Sequence, residues 1–159
     1  MKIKVEEQMP AWHFARYGKP LAKQQVDLAC NWVQKALRQT KRSAEREFEG
    51  RGFEFIFQEL GSGDLRIRAR LNIRQKKVFI DPGSEADILQ ELDALGFPFA
   101  SSPKALLLTH ELFHLFCPKC PQAIAELAAH AYCAEVLDLD YFPGLLDTAD
   151  APRLHAQPA

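Results

Sequence analysis

Leu106-Leu107-Leu108-Thr109-His110-Glu111-Leu112-Phe113-His114-Leu115-Phe116 is the stretch from which the rest of the chain is read. It places His-Glu-x-x-His inside a run of good helix formers. Residues four apart lie on one helix face, one turn along. His110 and His114 can therefore aim two ring nitrogens at one ion, and zinc accepts such nitrogens at about 2.0–2.1 Å. Glu111 sits roughly a quarter-turn away. That keeps its carboxylate off the metal but near a metal-bound water, where it can take the proton as the water attacks a carbonyl. Ser102 caps the helix and Pro103 opens it, while Leu112 and Phe113 can seat its back in a core.

Two histidines do not complete a catalytic zinc site, which needs a third protein ligand and an open fourth position. The leading candidate is Glu126, in Gln122-Ala123-Ile124-Ala125-Glu126-Leu127-Ala128-Ala129-His130. A carboxylate among alanines on a closely packed helix is costly if buried alone, and metal ligation compensates that cost. An exposed acid near the helix start, favoured there by the macrodipole, is the competing reading. His130 lies one turn further on. It is a candidate third ligand, a group supporting a ligand, a catalytic donor to a developing oxyanion, or a packing histidine. Glu135 is the remaining acid on this helix and is expected to be exposed.

Thr109–His114, together with Glu126-Leu127-Ala128-Ala129-His130-Ala131-Tyr132-Cys133-Ala134-Glu135-Val136-Leu137, resembles the small zincin peptidases of the gluzincin type. The similarity is greatest to the ImmA/IrrE-like metallopeptidase domain and covers roughly residues 105–138. The resemblance implies His110 and His114 as zinc ligands, Glu111 as general base and Glu126 as third ligand. It also implies an α+β fold with a small twisted sheet above the active-site helix. The interval between His114 and Glu126 is short for that family. His130 occupies its asparagine position, and the second acid of its helix falls near Ala128.

Working outward, residues 1–19 read as irregular, with a short strand at Lys2–Val5 and Trp12, Phe14 and Tyr17 tacking the arm to the body. Pro20 opens a long helix. Its apolar positions Ala22, Val26, Ala29, Val33, Leu37, Ala44 and Phe48 keep helical spacing until Gly50 and Gly52. Lys35, Arg38, Lys41, Arg42 and Arg46 form its solvated face. Phe53–Gln58, Leu65–Ile73 and Val78–Ile80 alternate in period two and predict an antiparallel meander of three or four strands, with a turn at Gly61–Asp64. An arginine stripe (Arg66, Arg68, Arg70, Arg74) should face water and pair with Glu54 and its neighbours. Ser84 caps a helix to about Leu95 with Ile88, Leu89, Leu92 and Leu95 inward, and Gly96 stops it. Pro121 opens a last helix to about Leu137. Tyr141–Gly144 ends the ordered body, and residues from about 148 to 159 read as a loose tail.

The chain has 159 residues, a formal net charge of −1 and 26% charged residues. That suits one soluble domain spanning 1–159, with no global basic field for nucleic acid. The start lacks an apolar leader, and no apolar run approaches the roughly 20 residues of a membrane span. A cytoplasmic location is expected. Cys30, Cys117, Cys120 and Cys133 then read as thiols, metal ligands or a redox pair rather than structural disulfides. Cys117-x-x-Cys120 with His130-x-x-Cys133 could form a separate structural metal site, and Cys117 could compete for the catalytic ion.

The expectation is an α+β domain: a long N-terminal helix, an antiparallel sheet, then helices bearing the metal. Its expected function is zinc-dependent hydrolysis of a peptide or protein substrate. The alternatives are a zinc amidase acting on a non-peptide substrate and a metal-binding regulatory or interaction module without turnover.

Overall fold

The computed structural model describes residues 1–61, 68–97 and 102–148. It is an α+β arrangement in which two helices, α5 (Pro103–Phe116) and α6 (Gln122–Val136), form the centre. Ser102 Oγ accepts the Ala105 N–H at 3.0 Å and Pro103 stands in the first turn, as the sequence predicts. Leu106, Leu108, Leu112, Phe113 and Phe116 are buried on α5. The chain breaks at Cys117, and Pro121 caps α6. On α6 the buried Ala128, Ala129, Ala131 and Ala134 let the neighbouring helices approach closely.

The N-terminal segment differs from expectation. Ile3–Tyr17 is a helix, α1, not an irregular arm with a strand at Lys2–Val5. Val5, Met9, Trp12 and His13 are its buried residues, and that spacing is helical. The scattered polar residues and Pro10 disguise it. Proline inside a helix removes one backbone bond, and the buried Trp12 side of α1 offsets that loss. Trp12 is fully buried, as expected of an anchor, whereas Phe14 and Tyr17 stay more than a third exposed. The helix expected from Pro20 to Phe48 is two helices, α2 (Lys23–Gln39) and α3 (Ala44–Gly50). Thr40 ends the first, its hydroxyl bonding the Ala36 carbonyl at 2.8 Å and the Tyr132 hydroxyl at 2.7 Å. Ser43 starts the second by accepting the Arg46 N–H at 3.3 Å. Hydroxyl side chains compete with helical backbone bonding in this way.

The sheet is mixed rather than a meander. Strands β1 (Glu54–Phe57), β2 (Ala69–Asn72) and β3 (Lys77–Ile80) lie in the order β1-β3-β2. β2 and β3 are an antiparallel hairpin, and β1 runs parallel to β3. The physical reason lies in burial. Val78, Phe79 and Ile80 are all buried, so β3 takes the centre and the arginine-bearing β2 an edge. Glu54 consequently faces Lys77, across β3 from the arginine stripe it was expected to meet. Nor does the stripe simply face water. Arg68 is largely covered, approaching Glu91 at 3.9 Å and donating to the Leu146 carbonyl at 3.3 Å. Arg70 places its guanidinium 4.8 Å from the Phe79 ring centre. The predicted turn at Gly61–Asp64, apart from Gly61 itself, and the start of the second strand, with Arg66, lie outside the described residues.

Helix α4 (Ser84–Leu95) follows the sequence reading in extent and ends on Gly96 in the left-handed region, φ 69°. Gly83 rather than Ser84 is the capping residue, and the Ser84 hydroxyl donates to the Asp81 carbonyl at 2.6 Å. Ile88 and Leu92 are buried, but Leu89 and Leu95 are not. A further short helix, α7 (Leu145–Thr148), continues past the expected end of the ordered body. Residues 149–159, most of the predicted tail, lie outside the described residues. Among the described residues no helix is long and apolar enough to cross a membrane.

Candidate metal centre

Helices α5 and α6 lie side by side, and their facing turns bring three side chains to one point. His110 Nε2 and His114 Nε2 are 3.2 Å apart. Each is 3.1 Å from one oxygen of the Glu126 carboxylate. Among the described residues these three form the group able to hold a metal ion. The spacing suits that role. Ligands held tetrahedrally at about 2.0–2.1 Å lie roughly 3.3–3.4 Å from each other. The donor set, two imidazoles and a carboxylate, is one that a catalytic zinc accepts.

The charges around the site favour the same grouping. Burial opposes ionisation of the Glu126 carboxyl, but the neighbouring His110 and His114 outweigh it and hold that carboxyl well below the ordinary carboxylate range. Burial likewise opposes protonation of His110, yet Glu126 foremost, with Cys133, raises its affinity for a proton. A cation, proton or metal, is thus stabilised here. Glu111 is 9% exposed, and burial pushes its carboxyl upward.

One side of this group opens to a cleft of about 400 Å³. Glu111, His114 and Glu126 line it together with Ala69 and Leu71 of β2 and the Cys117–Cys120 turn. The edge strand is aligned for contact with a ligand in the cleft. Asp81 N–H donates to the Arg68 carbonyl at 2.9 Å. In an antiparallel ladder bonded and non-bonded pairs alternate. Arg70 and Asn72 therefore bond β3, while Ala69 and Leu71 turn their backbone groups outward.

No protein-family model matches this chain, and neither the curated proteins nor the solved structures yield a match.

The remaining site residues fall into place around this centre. His130 is buried, with its ring centre 4.6 Å from that of His110 and flanked edge-on by Trp12 and Phe142. It is not among the residues lining that cleft, and its ring packs against the candidate ligand His110. Glu135 is at the far end of α6, 3.1 Å from the Met1 amino group. Cys117 directs its sulfur to the Trp32 carbonyl at 3.8 Å and is not part of the His-His-Glu group. The four soft residues do not assemble into a second centre among the described residues, because Cys133 is buried against α5.

Cys133 is a buried free thiol, one of the readings open for it in the sequence, and its place beside His110 is what the sequence reading missed. Its thiol donates to the Leu106 carbonyl at 3.7 Å, one turn before His110, and the neighbouring thiol and imidazole shift each other's proton affinity, that of His110 upward. Metal-binding histidines usually donate their second ring N–H to a carboxylate, a backbone carbonyl or water, which fixes the tautomer and ring orientation, and here a thiol stands beside the ring. The signal was present as spacing: Cys133 lies seven residues after Glu126, two turns along the same face of α6.

Proposed function

We propose that this protein is a zinc-dependent hydrolase that cleaves peptide bonds, a minimal member of the zincin type that its helix motif resembles. The observation that carries the reading is the convergence of His110, His114 and Glu126 at 3.1–3.2 Å beside an open cleft that also contains Glu111. A structural zinc site would be closed on all sides, whereas a catalytic one keeps a position open.

In this reading His110, His114 and Glu126 hold the ion. A bound zinc ion supplies Lewis-acid polarisation of a carbonyl and acidifies water. Glu111 accepts the proton from the attacking water and delivers it to the departing amine, which is general base and then general acid action by one carboxyl. Its buried position shields that proton from bulk solvent. Peptide recognition falls to the outward backbone groups of Ala69 and Leu71, which can pair with an extended main chain as an added strand. Pairing of that kind reads backbone rather than side chains and favours a peptide over a small amide.

Metal analysis of the purified protein tests the reading. Wild type should carry about one zinc per chain, and a His110→Ala, His114→Ala variant none. Glu126→Ala should bind it more weakly. Glu111→Gln should keep the zinc and lose hydrolysis of an unstructured protein substrate by at least about 100-fold. Zinc that survives loss of both histidines would overturn the assignment. Zinc bound normally with no turnover of peptides or small amides would make the protein a binding module.

A further inference from the structure

The turn joining α5 to α6 carries two of the chain's cysteines. Cys120 N–H donates to the Cys117 carbonyl at 3.1 Å, closing Cys117-Pro118-Lys119-Cys120 as a four-residue turn. A turn closed in this way holds its end Cα atoms within about 7 Å. Disulfides span Cα separations of about 4.4–6.8 Å. Both cysteines are free thiols, and both line the cleft with Glu111, His114 and Glu126. Neither belongs to the His-His-Glu group. They also differ in access: Cys117 is buried and Cys120 only partly so. Cys133 is enclosed against α5, and Cys30 sits on α2, so neither competes for a partner in this turn.

We propose that Cys117 and Cys120 are a redox site in the cleft wall, closing reversibly to a disulfide by exchange with a small-molecule disulfide such as oxidised glutathione. The more accessible Cys120 thiolate attacks one sulfur of the oxidant and releases the first thiol. Cys117 then attacks the Cys120 sulfur of the mixed disulfide and releases the second. Two electrons pass from the protein pair to the oxidant, and the two protons leave on the two small thiols. The new bond clips the short link between the helices that carry His110, His114 and Glu126, yet uses none of those side chains. Cys117 must swing its sulfur off the Trp32 carbonyl to form it, so the cleft wall changes shape with the state of the pair. The inference stands on the turn and the cleft, and it holds whether or not the protein hydrolyses peptides.

The test incubates the full-length purified protein with oxidised glutathione, quenches in acid, alkylates the free thiols under denaturing conditions and maps the peptides by mass. The expected product is an intramolecular Cys117–Cys120 disulfide that dithiothreitol reverses, with Cys30 and Cys133 still alkylated. Cys117→Ser should instead trap glutathione on Cys120. In a glutathione buffer the disulfide should be at least about tenfold more favoured in the folded chain than in guanidinium, since the closed turn preorganises the pair. Wild type that keeps both thiols alkylatable would overturn the proposal, as would pairing of either with Cys30 or Cys133. Equal populations in folded and unfolded chains would overturn the role given to the turn.

Discussion

A buried sulfur stands beside His110, where a metal-binding histidine usually has a carboxylate or a carbonyl. Cys133 lies beside both the Leu106 carbonyl and the His110 ring, so removing it takes away one of the groups that orient that ring. Cys133→Ala is expected to weaken zinc binding about 10–100-fold, read by competition with a chromogenic chelator, and Cys133→Ser should recover part of the loss. At a second residue the argument concerns pH. Arg42 and Arg51 each donate to Glu47 at 2.8 Å and hold its carboxyl below the ordinary range. A carboxyl lowered in the native state adds stability above its unfolded value of about 4.3, and that stability is lost as pH falls through the native value. Glu47→Gln should therefore cost about 1–3 kcal/mol at pH 7, and the difference from wild type in urea melts should vanish below the native Glu47 value. At this scale the sequence is informative where geometry is local. His110, Glu111 and His114 share one helix, so their relation follows from helical pitch. Glu126 needed the packing of a second helix, and the pairing of Cys133 with His110 needed its register.

Among the elements, helix boundaries marked by Ser-Pro, Gly or Pro were legible, as α4, α5 and α6 demonstrate. Strand order was not. Period-two alternation marks which residues share a face, but it does not say which strand takes the middle; that depended on the burial of Val78, Phe79 and Ile80. The order matters for function because it leaves β2 at the edge beside the candidate metal centre. Leu71 turns its N–H away from β3, so Leu71→Pro removes an outward donor while leaving the hairpin bonds in place. Its expected effect is a loss of about tenfold or more in kcat/KM on an extended peptide, with zinc content and circular dichroism unchanged. Ser102→Ala, which removes the α5 cap, should cost about 1 kcal/mol in a thermal or urea melt.

The whole molecule is drawn together by α1, the element whose helix the sequence reading missed. Its Trp12 packs edge-on against Phe142 and His130, tying the N-terminal helix, the segment before α7 and the back of the candidate centre into one aromatic cluster. Gly144 closes over that cluster. A Cβ there would stand 2.6 Å from both Trp12 and Phe142. Gly144→Ala is expected to lower stability by about 1–3 kcal/mol, seen as a reduced melting temperature. Such tertiary dependence explains why residues 1–19 were hard to read: Val5, Met9 and Trp12 count as one face only when there is a body for that face to cover.

The three candidate ligands fall within Pro103–Val136, on two helices joined by a single short turn. Loop-closure cost grows only as the logarithm of loop length, and so short an interval closes at little cost even in a chain without fixed structure. If the three residues hold zinc as proposed, the denatured ensemble retains some affinity for it. Mass-action stabilisation by a ligand reaches its full value only when the unfolded chain does not bind it. Added zinc should consequently raise the midpoint of unfolding by less than its native affinity alone requires. A chain with ligands scattered over distant segments would show a smaller shortfall.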